Sequence, residues 1–284
     1  MVIEIPIIGA LAAATGTILQ KIVLQRKQVS IKLYQVLEFL AIVLVMLPFI
    51  YFFWKVDVGA LQLRSILIFS AVIFFSIIAN LFVFYSMKWE KVTNLEPAKI
   101  LEPLFVILLA IIFSFFFEEL YERNLKVIIP AIIAGAALIF SHIEKRHLEF
   151  NKYFIAAILG SFFFATELVI TRLILDFYSP MSFYFLRSSA IFLISLAIFR
   201  PKFKKASNIV RLHIFLTAIA WVAYRLIVYY GYLNLGVIFT TLILMLAPIF
   251  IYAFARIFLK EKLKLKNILA AGVIIACVLY ATLA

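Results

Sequence analysis

Apolar stretches of about twenty residues recur along the whole chain, and this is the length that an α-helix needs to cross a bilayer. Hydrophobic residues make up 67% of the sequence and charged residues 14%, whereas an ordinary soluble domain is only about half apolar. We therefore predict an all-α integral membrane protein with ten transmembrane helices. The expected spans are 5–25, 33–54, 63–87, 95–117, 124–141, 152–173, 180–199, 208–232, 237–258 and 264–282.

The chain also contains two similar halves. The run GALAAATGTILQKIVL, which begins at Gly9, matches the run GSFFFATELVITRLIL, which begins at Gly160. Further matches follow in the same order along both halves, and one of them aligns Glu38 with Arg187. Paired repeats within an apolar chain are typical of membrane transporters.

The number of helices in each half predicts how the halves are oriented. Residues 1–145 contain five expected spans, and residues 150–284 contain the other five. Because five is odd, the second half enters the membrane from the face opposite to the first. We therefore expect two inverted five-helix repeats.

Basic residues crowd the connections that follow the expected helices 1, 3, 5, 7 and 9. The positive-inside rule places these connections in the cytoplasm and both termini outside. The formal net charge of +13 is therefore ascribed to cytoplasmic loops, and we expect no nucleic-acid partner. The prediction is a multi-pass protein of the cytoplasmic cell membrane with the lipid bilayer as its partner. Its oligomeric state stays open.

These features resemble the drug/metabolite transporter superfamily, and specifically its ten-helix proteins with two EamA-type repeats. The residues that carry the resemblance are Gly160, Ala165, Arg172, Arg187, Pro248 and Glu261. The first half departs from the pattern because Glu38 stands where the second half has an arginine. The resemblance implies a substrate cavity between the repeats and transport by alternating access.

Polar and ionisable residues within the apolar spans are the candidates for a substrate site, because a charge at membrane depth is costly and therefore functional by default. An arginine can bind a carboxylate, and a glutamate can bind an amine. This combination fits a zwitterionic or anionic small molecule. The candidate substrate-binding residues are Thr15, Glu38, Asn80, Tyr85, Thr166, Glu167, Arg187, Arg225 and Tyr230.

The same residues allow a structural interpretation. Arg187 and Arg225 are long enough to extend to the outer membrane surface while Glu167 pairs with one of them. Lys99 stands between two glutamates at helical spacing, so Glu96, Lys99 and Glu102 also fit a self-neutralised ladder near the interface. If protons drive transport, Glu167 and Glu102 are the expected coupling residues.

Two aligned prolines are expected to kink the fourth and ninth helices. Pro103 and Pro248 remove the backbone donors for the carbonyls of Lys99 and Leu244. Such irregular backbone is tolerated in a membrane where it lines a cavity. Several tyrosines could either line that cavity or join an aromatic belt, and belt membership is the preferred interpretation for Tyr229 and Tyr232.

The function that these features favour is secondary active transport of small metabolites, with export of amino acids or related compounds as the leading hypothesis. Exchange of sugar phosphates or nucleotide sugars, flipping of lipid-linked sugars, and an intramembrane enzyme or non-transporting assembly partner remain alternatives. The sequence contains no phosphate-binding glycine loop, nucleophile elbow or zinc motif. We therefore expect no enzyme activity, cofactor or metal, and the substrate, direction and coupling ion stay open.

Overall fold

The structure is a computed structural model that describes residues 4–99, 101–121, 124–142, 151–203, 207–258 and 265–283. Its regular elements in these residues are helical, apart from a single antiparallel bridge between Val56 and Tyr178. A short 3₁₀ turn covers Val58–Leu61. The α-helices are α1 Glu4–Leu24, α2 Ile31–Phe53, α3 Leu63–Trp89, α4 Val92–Lys99, α5 Leu101–Ser114, α6 Leu125–His142, α7 Lys152–Leu175, α8 Pro180–Phe199, α9 Asn208–Asn234, α10 Val237–Leu244, α11 Ala247–Phe258 and α12 Leu265–Leu283.

Six of the helices (α1, α2, α3, α7, α8 and α9) are long and apolar enough to cross a membrane. Four shorter apolar segments accompany them among the described residues, at Leu101–Ser114, Leu125–Ala137, Val237–Ile251 and Leu269–Leu283. The all-helical, membrane-embedded class predicted from composition is therefore confirmed at this level. The bounds of the six long helices differ from the expected spans by only a few residues.

One of the expected spans is interrupted among the described residues. The ninth consists of α10, which ends at Leu244, and α11, which begins at Ala247. Leu244 is four positions before Pro248. A proline clashes with the carbonyl of that residue and cannot donate to it, whereas it is tolerated in the first turn of a new helix. The interruption therefore lies where Pro248 disfavours a continuous helix. α4 and α5 occupy the fourth expected span on either side of residue 100, which lies outside the described residues.

The most extensive helix contacts are made between the two halves of the chain, not within either half. The most extensive contacts between helices join α3 to α7, α1 to α9, α6 to α12 and α2 to α8. Each of these pairs takes one helix from each half. α1 and α7 are the first long helices of the two halves, and α3 and α9 are the third. The α1–α9 and α3–α7 contacts are therefore equivalent in the two halves. The α2–α8 and α6–α12 contacts each join two helices at matching positions.

Glycines permit the closest of these contacts. A Cβ atom on Gly160 would lie 2.7 Å from Val83 Cγ2 and 3.3 Å from the carbonyl oxygen of Ala79 on α3. A Cβ atom on the aligned Gly9 would lie 2.7 Å from Ile227 Cγ2 on α9. The repeated glycine thus brings the first helix of each half against the third helix of the other half.

Hydrogen bonds from the connections and helix ends show which helix ends lie together. The Asp57 amide, between α2 and α3, donates to the Phe177 carbonyl, between α7 and α8, over 2.8 Å. The Lys88 ammonium, near the end of α3, donates to the Leu24 carbonyl at the end of α1 over 3.2 Å. α1 thus ends beside the end of α3, while α7 ends beside its beginning.

The bundle buries polar side chains and exposes apolar ones. Ser76, Gln35 and Glu167 are fully buried between helices, whereas Leu193 and Ile198 of α8 are exposed. This arrangement reverses that of a water-soluble protein, because lipid is the solvent for the outer surface. The polar interior is concentrated at one central site.

Candidate functional site

A cavity of about 150 Å³ lies between the two halves. Eight helices from both halves supply its polar wall, and apolar side chains such as Phe39 and Leu168 complete it. The polar and aromatic lining residues are Thr17, Gln20, Glu38, Asn80, Lys99, Glu102, Tyr184, Arg187, Trp221, Tyr224, Arg225, Tyr232 and Thr241. The two aligned prolines, Pro103 and Pro248, also line it.

Glu167 of α7 is the centre of a buried ion cluster beside this cavity. Its Oε1 lies 3.1 Å from Nε of Arg187 on α8, and its Oε2 lies 3.3 Å from Nη1 of Arg225 on α9. Thr171, one turn further along α7, donates to the Glu167 carbonyl and lies 3.5 Å from Oε1. Three helices therefore hold one carboxylate between two guanidinium groups.

Arg187 is fixed by a second contact on α3. Its Nε and Nη2 donate to Oγ of Ser76 over 3.0 and 2.7 Å. Its guanidinium also lies over the ring of Tyr184, with 5.6 Å to the centroid. A planar guanidinium with several donors suits such a multiple contact better than an ammonium does.

Arg225 is held less completely than Arg187. Its guanidinium lies over the rings of Phe164 and Tyr224 at 5.4 and 5.8 Å. Its Nη1 and Glu167 Oε2 are in ionic contact, but neither atom has a hydrogen bond of acceptable geometry among the described residues. Because Arg225 lines the cavity, Nη1 retains hydrogen-bonding capacity beside a space that a ligand could occupy.

Glu38 of α2 lines a different part of the cavity wall. Its carboxylate is 2% exposed and accepts a hydrogen bond of 2.9 Å from the hydroxyl of Tyr34, one turn earlier. Nε2 of Gln35 donates to Oγ of Ser195 over 3.1 Å, which sets α2 against α8. Counted from that contact, Glu38 and Arg187 lie about five residues, or roughly 7–8 Å, apart along the helix axes.

Matching positions in the two halves therefore carry unlike side chains. Glu38 aligns with Arg187, and the same repeat alignment sets Asn80 opposite Arg225. All four line the cavity. The surplus of positive charge lies on the side formed by the second half, whereas the first half supplies a carboxylate and an amide.

Lys99 of α4 and Glu102 of α5 contribute a further pair of charges. Both line the cavity, and Lys99 Nζ lies 3.5 Å from Oγ1 of Thr17 on α1. The side chain of Glu96, the third member of the ladder considered above, lies outside the described residues, as does Glu261. The fourth expected span thus places two ionisable groups at the cavity.

The cavity contains only some of the residues that the sequence suggested for substrate binding. It includes Glu38, Asn80, Arg187 and Arg225, while Glu167 lies directly behind the two arginines. The remaining candidates have other contacts. Thr15 and Thr166 donate to carbonyls of their own helices, the ring of Tyr85 packs on Tyr153, and Tyr230 is 40% exposed.

Two expectations for these residues need correction. The arginines do not extend to the outer surface, because Arg187 and Arg225 are buried and both contact Glu167. Tyr229 and Tyr232 are buried rather than placed in an aromatic belt, and Tyr232 lines the cavity. Tyrosines of an aromatic belt and tyrosines of a cavity wall can have the same spacing along a helix. Only the packing of α9 therefore shows which of the two places a tyrosine occupies.

Sequence reasoning also missed Tyr184. This tyrosine lies one turn before Arg187 on α8, under the Arg187 guanidinium, and lines the cavity. Its position one turn from an arginine within an apolar span could have identified it as a cavity residue. Among the described residues, no group of three or more histidine, cysteine, aspartate or glutamate side chains could hold a metal ion.

Comparison with protein families gives this geometry a context. Residues 151–283 match the EamA-like transporter family. The match covers the second half of the chain. All the residues that carried the resemblance in the sequence, from Gly160 to Glu261, lie in the matched range. The buried ion cluster beside the cavity, formed by Glu167, Arg187 and Arg225, lies in this EamA-like half.

Comparison with solved structures supports the fold of the chain over its whole length. A crystal structure described only as "Crystal structure of protein" is similar over 99% of this chain and 96% of its own, with a TM-score of 0.69 and 16% sequence identity. Similarity at this identity concerns the fold alone. No curated protein sequence matches the chain.

Proposed function

We propose that this protein is a secondary active transporter that exports small zwitterionic or anionic metabolites across the cytoplasmic membrane by alternating access. One observation carries the proposal. A cavity between the two halves is bordered by the buried cluster of Glu167, Arg187 and Arg225, and Arg225 retains a hydrogen-bonding group without an aligned partner.

The charge of the cluster favours an anionic group on the ligand. One carboxylate faces two guanidinium groups, so the cluster has one unbalanced positive charge when all three side chains are ionised. A buried charge without a partner is costly in a membrane interior. A ligand carboxylate at Arg225 would balance the cluster and use the free Nη1 donor.

Glu38 supplies a complementary site for a cationic group. Its distance of roughly 7–8 Å from Arg187 along the helix axes exceeds the separation of the two charged groups on one amino-acid α-carbon. A zwitterion with charges at both ends of a short chain would fit both sites. A smaller amino acid would engage the arginine side alone.

Two aligned prolines and one interrupted helix support alternating access. Pro103 and Pro248 both line the cavity and occupy matching positions in the two halves, and the ninth expected span is interrupted before Pro248. Inverted repeats of this kind move against each other around a fixed central site in many secondary transporters. We propose that the two halves, residues 1–145 and 150–284, alternate in this way.

Exchange of phosphorylated sugars is the second candidate, because paired arginines also suit a phosphate. The cavity of about 150 Å³ is small beside the ~300–1,000 Å³ of pockets for drug-sized ligands. This size favours a small metabolite over a nucleotide sugar or a lipid-linked sugar.

Transport into proteoliposomes tests the proposal. The purified protein is given a panel of radiolabelled zwitterionic amino acids, carboxylates and sugar phosphates, with and without a pH gradient. We expect accumulation of at least one zwitterion or carboxylate and its loss in Arg225→Ala. Arg211→Ala is the matched control, because Arg211 is exposed on the same helix.

Two results would contradict the proposal. Absence of uptake and exchange for every class of compound would argue against transport of small metabolites. Wild-type transport in Arg225→Ala would remove the arginine cluster from the substrate site. Preloaded proteoliposomes of known orientation then measure the direction of net transport.

A further inference from the structure

We infer that Glu38 is the residue that binds the coupling proton, and that a proton and a cationic group of the substrate occupy its carboxylate in turn. This inference rests on the proposed transport function and deepens it. It assigns the coupling role to Glu38 in place of Glu167 and Glu102, the residues expected from the sequence.

The surroundings of Glu38 suit a group that changes its protonation state. The carboxylate is buried at the cavity wall, and its hydrogen-bond donor is the neutral hydroxyl of Tyr34. Among the described residues, no lysine or arginine nitrogen lies within ion-pair distance of it. Burial without a cation disfavours a permanent negative charge, so the site favours occupation by a proton or by a ligand cation.

Glu167 has the opposite surroundings. Two buried guanidinium groups contact its carboxylate, at 3.1 Å from Arg187 and 3.3 Å from Arg225. Protonation of Glu167 would leave both arginines buried without a counter-ion, which is strongly unfavourable. Glu167 therefore serves as a fixed negative charge that keeps the arginines in place.

The other ionisable groups around the cavity affect the equilibrium between the protonated and ionised forms of Glu38. Arg187 and Arg225 favour its ionised form, but Glu167 offsets one of these charges and the distance along the helix axes weakens the remainder. Lys99 and Glu102 stand on the wall formed by α4 and α5. The groups facing Glu38 are Tyr34 on its own helix, Tyr184 and Arg187 on α8, Tyr224 and Arg225 on α9, and Lys99 and Glu102 on α4 and α5.

Alternate occupation of one carboxylate gives antiport. A cationic group that binds Glu38 requires the ionised form and therefore displaces the proton. After release of the substrate on the other side, protonation restores the neutral form in which the empty carrier can return. An inward proton gradient would then drive export, with one proton exchanged for each substrate cation.

Infrared difference spectroscopy tests the protonation of Glu38 without any substrate. Spectra of the purified protein are recorded across the pH range in which it remains folded. We expect a carboxylic acid C=O band that disappears as the pH rises and that is absent from Glu38→Gln. Tyr34→Phe should keep the band and shift its frequency, because the hydrogen bond to Glu38 is lost. Glu119→Gln, at an exposed position, is the matched control.

Persistence of the titrating band in Glu38→Gln would overturn the assignment, whatever the substrate is. Transport then tests coupling separately. In proteoliposomes, Glu38→Gln should lose accumulation driven by a pH gradient, whereas Glu119→Gln should retain it. Full pH-driven accumulation in Glu38→Gln would also overturn the inference. If no compound is transported by the wild type, the infrared result still decides the protonation, so failure of the two proposals can be distinguished.

Discussion

Arg187 and Glu167 form a buried ion pair between α8 and α7, with 3.1 Å between Nε and Oε1. Neither residue is near the other in sequence, and the aligned positions of the first half carry Glu38 and Gly16. The pair thus breaks the similarity of the repeats at the cavity. It gives the second half the fixed charges and leaves the first half with a carboxylate that has a neutral partner.

Removal of the carboxylate from this cluster should destabilise the protein. Glu167→Gln leaves two buried guanidinium groups without a counter-ion, and breaking a buried pair in this way typically costs about 3–5 kcal/mol. Thermal unfolding of the detergent-purified protein should show a clearly lower midpoint.

Asp176→Asn provides the matched comparison for this experiment. Asp176 pairs with Arg172 at 2.6 Å, but its side chain is 52% exposed, so its loss should cost no more than about 0.5 kcal/mol. Equal midpoints for Glu167→Gln and the wild type would contradict the ion cluster.

The geometry of Arg187, in addition to its charge, should matter for transport. Arg187→Lys keeps one positive charge, but an ammonium cannot bond Ser76 and Glu167 with the same planar set of donors. We expect the variant to fold and to transport at a reduced rate, measured for any substrate that the proteoliposome panel identifies. Arg211→Lys, at an exposed site, should transport as the wild type does. A rate in Arg187→Lys equal to that of the control would show that charge alone suffices.

The helix contact at Gly160 should tolerate no added methyl group. A Cβ atom there would lie 2.7 Å from Val83 Cγ2 and 3.3 Å from a backbone oxygen of α3. Overpacking of this kind costs about 1–3 kcal/mol, which exceeds or offsets the ~1 kcal/mol gained by alanine in a helix. We expect Gly160→Ala to lower the thermal midpoint.

Gly272→Ala is the control for this substitution, because nothing lies within 4 Å of its Cβ position. It should leave the midpoint unchanged or raise it. A lower midpoint in Gly272→Ala than in Gly160→Ala would reverse the packing argument.

The charge distribution predicts which loops face the cytoplasm. Single cysteines are introduced at Val58 and Phe203, both in exposed connections, in a Cys277→Ala background that removes the protein's own thiol. A membrane-impermeant maleimide should label residue 58 in intact cells and residue 203 only after permeabilisation. The reverse pattern would invert the topology.

Sequence alone predicted much of the fold because lipid imposes a simple rule on each span. A helix that satisfies its own backbone and has an apolar surface is recognisable from local composition, so the helix positions followed from apolar runs. A proline likewise acts on a carbonyl only four residues away. Pro248 therefore marked Leu244 as the end of α10 in advance.

The partners of the intramembrane charges could not be read in this way. Thr15 and Thr166 are identical at aligned positions of the two halves, yet each bonds within its own helix. Tyr184, which aligns with the unlike Gln35, lines the cavity instead. Helical spacing predicts which residues share one face of a helix, but it does not predict which neighbouring helix packs on that face.

The sequence by itself determined the membrane class and the set of residues too costly to bury without a purpose, and it predicted two related halves. The contact of Glu38 with Tyr34 is also local, because the two residues are one turn apart on α2. Only the tertiary structure decided that Glu167 lies between Arg187 and Arg225. The physical reason is that a carboxylate's role depends on the charges within a few ångströms of it. Those charges come from α8 and α9, and helical spacing within α7 does not state that they reach Glu167.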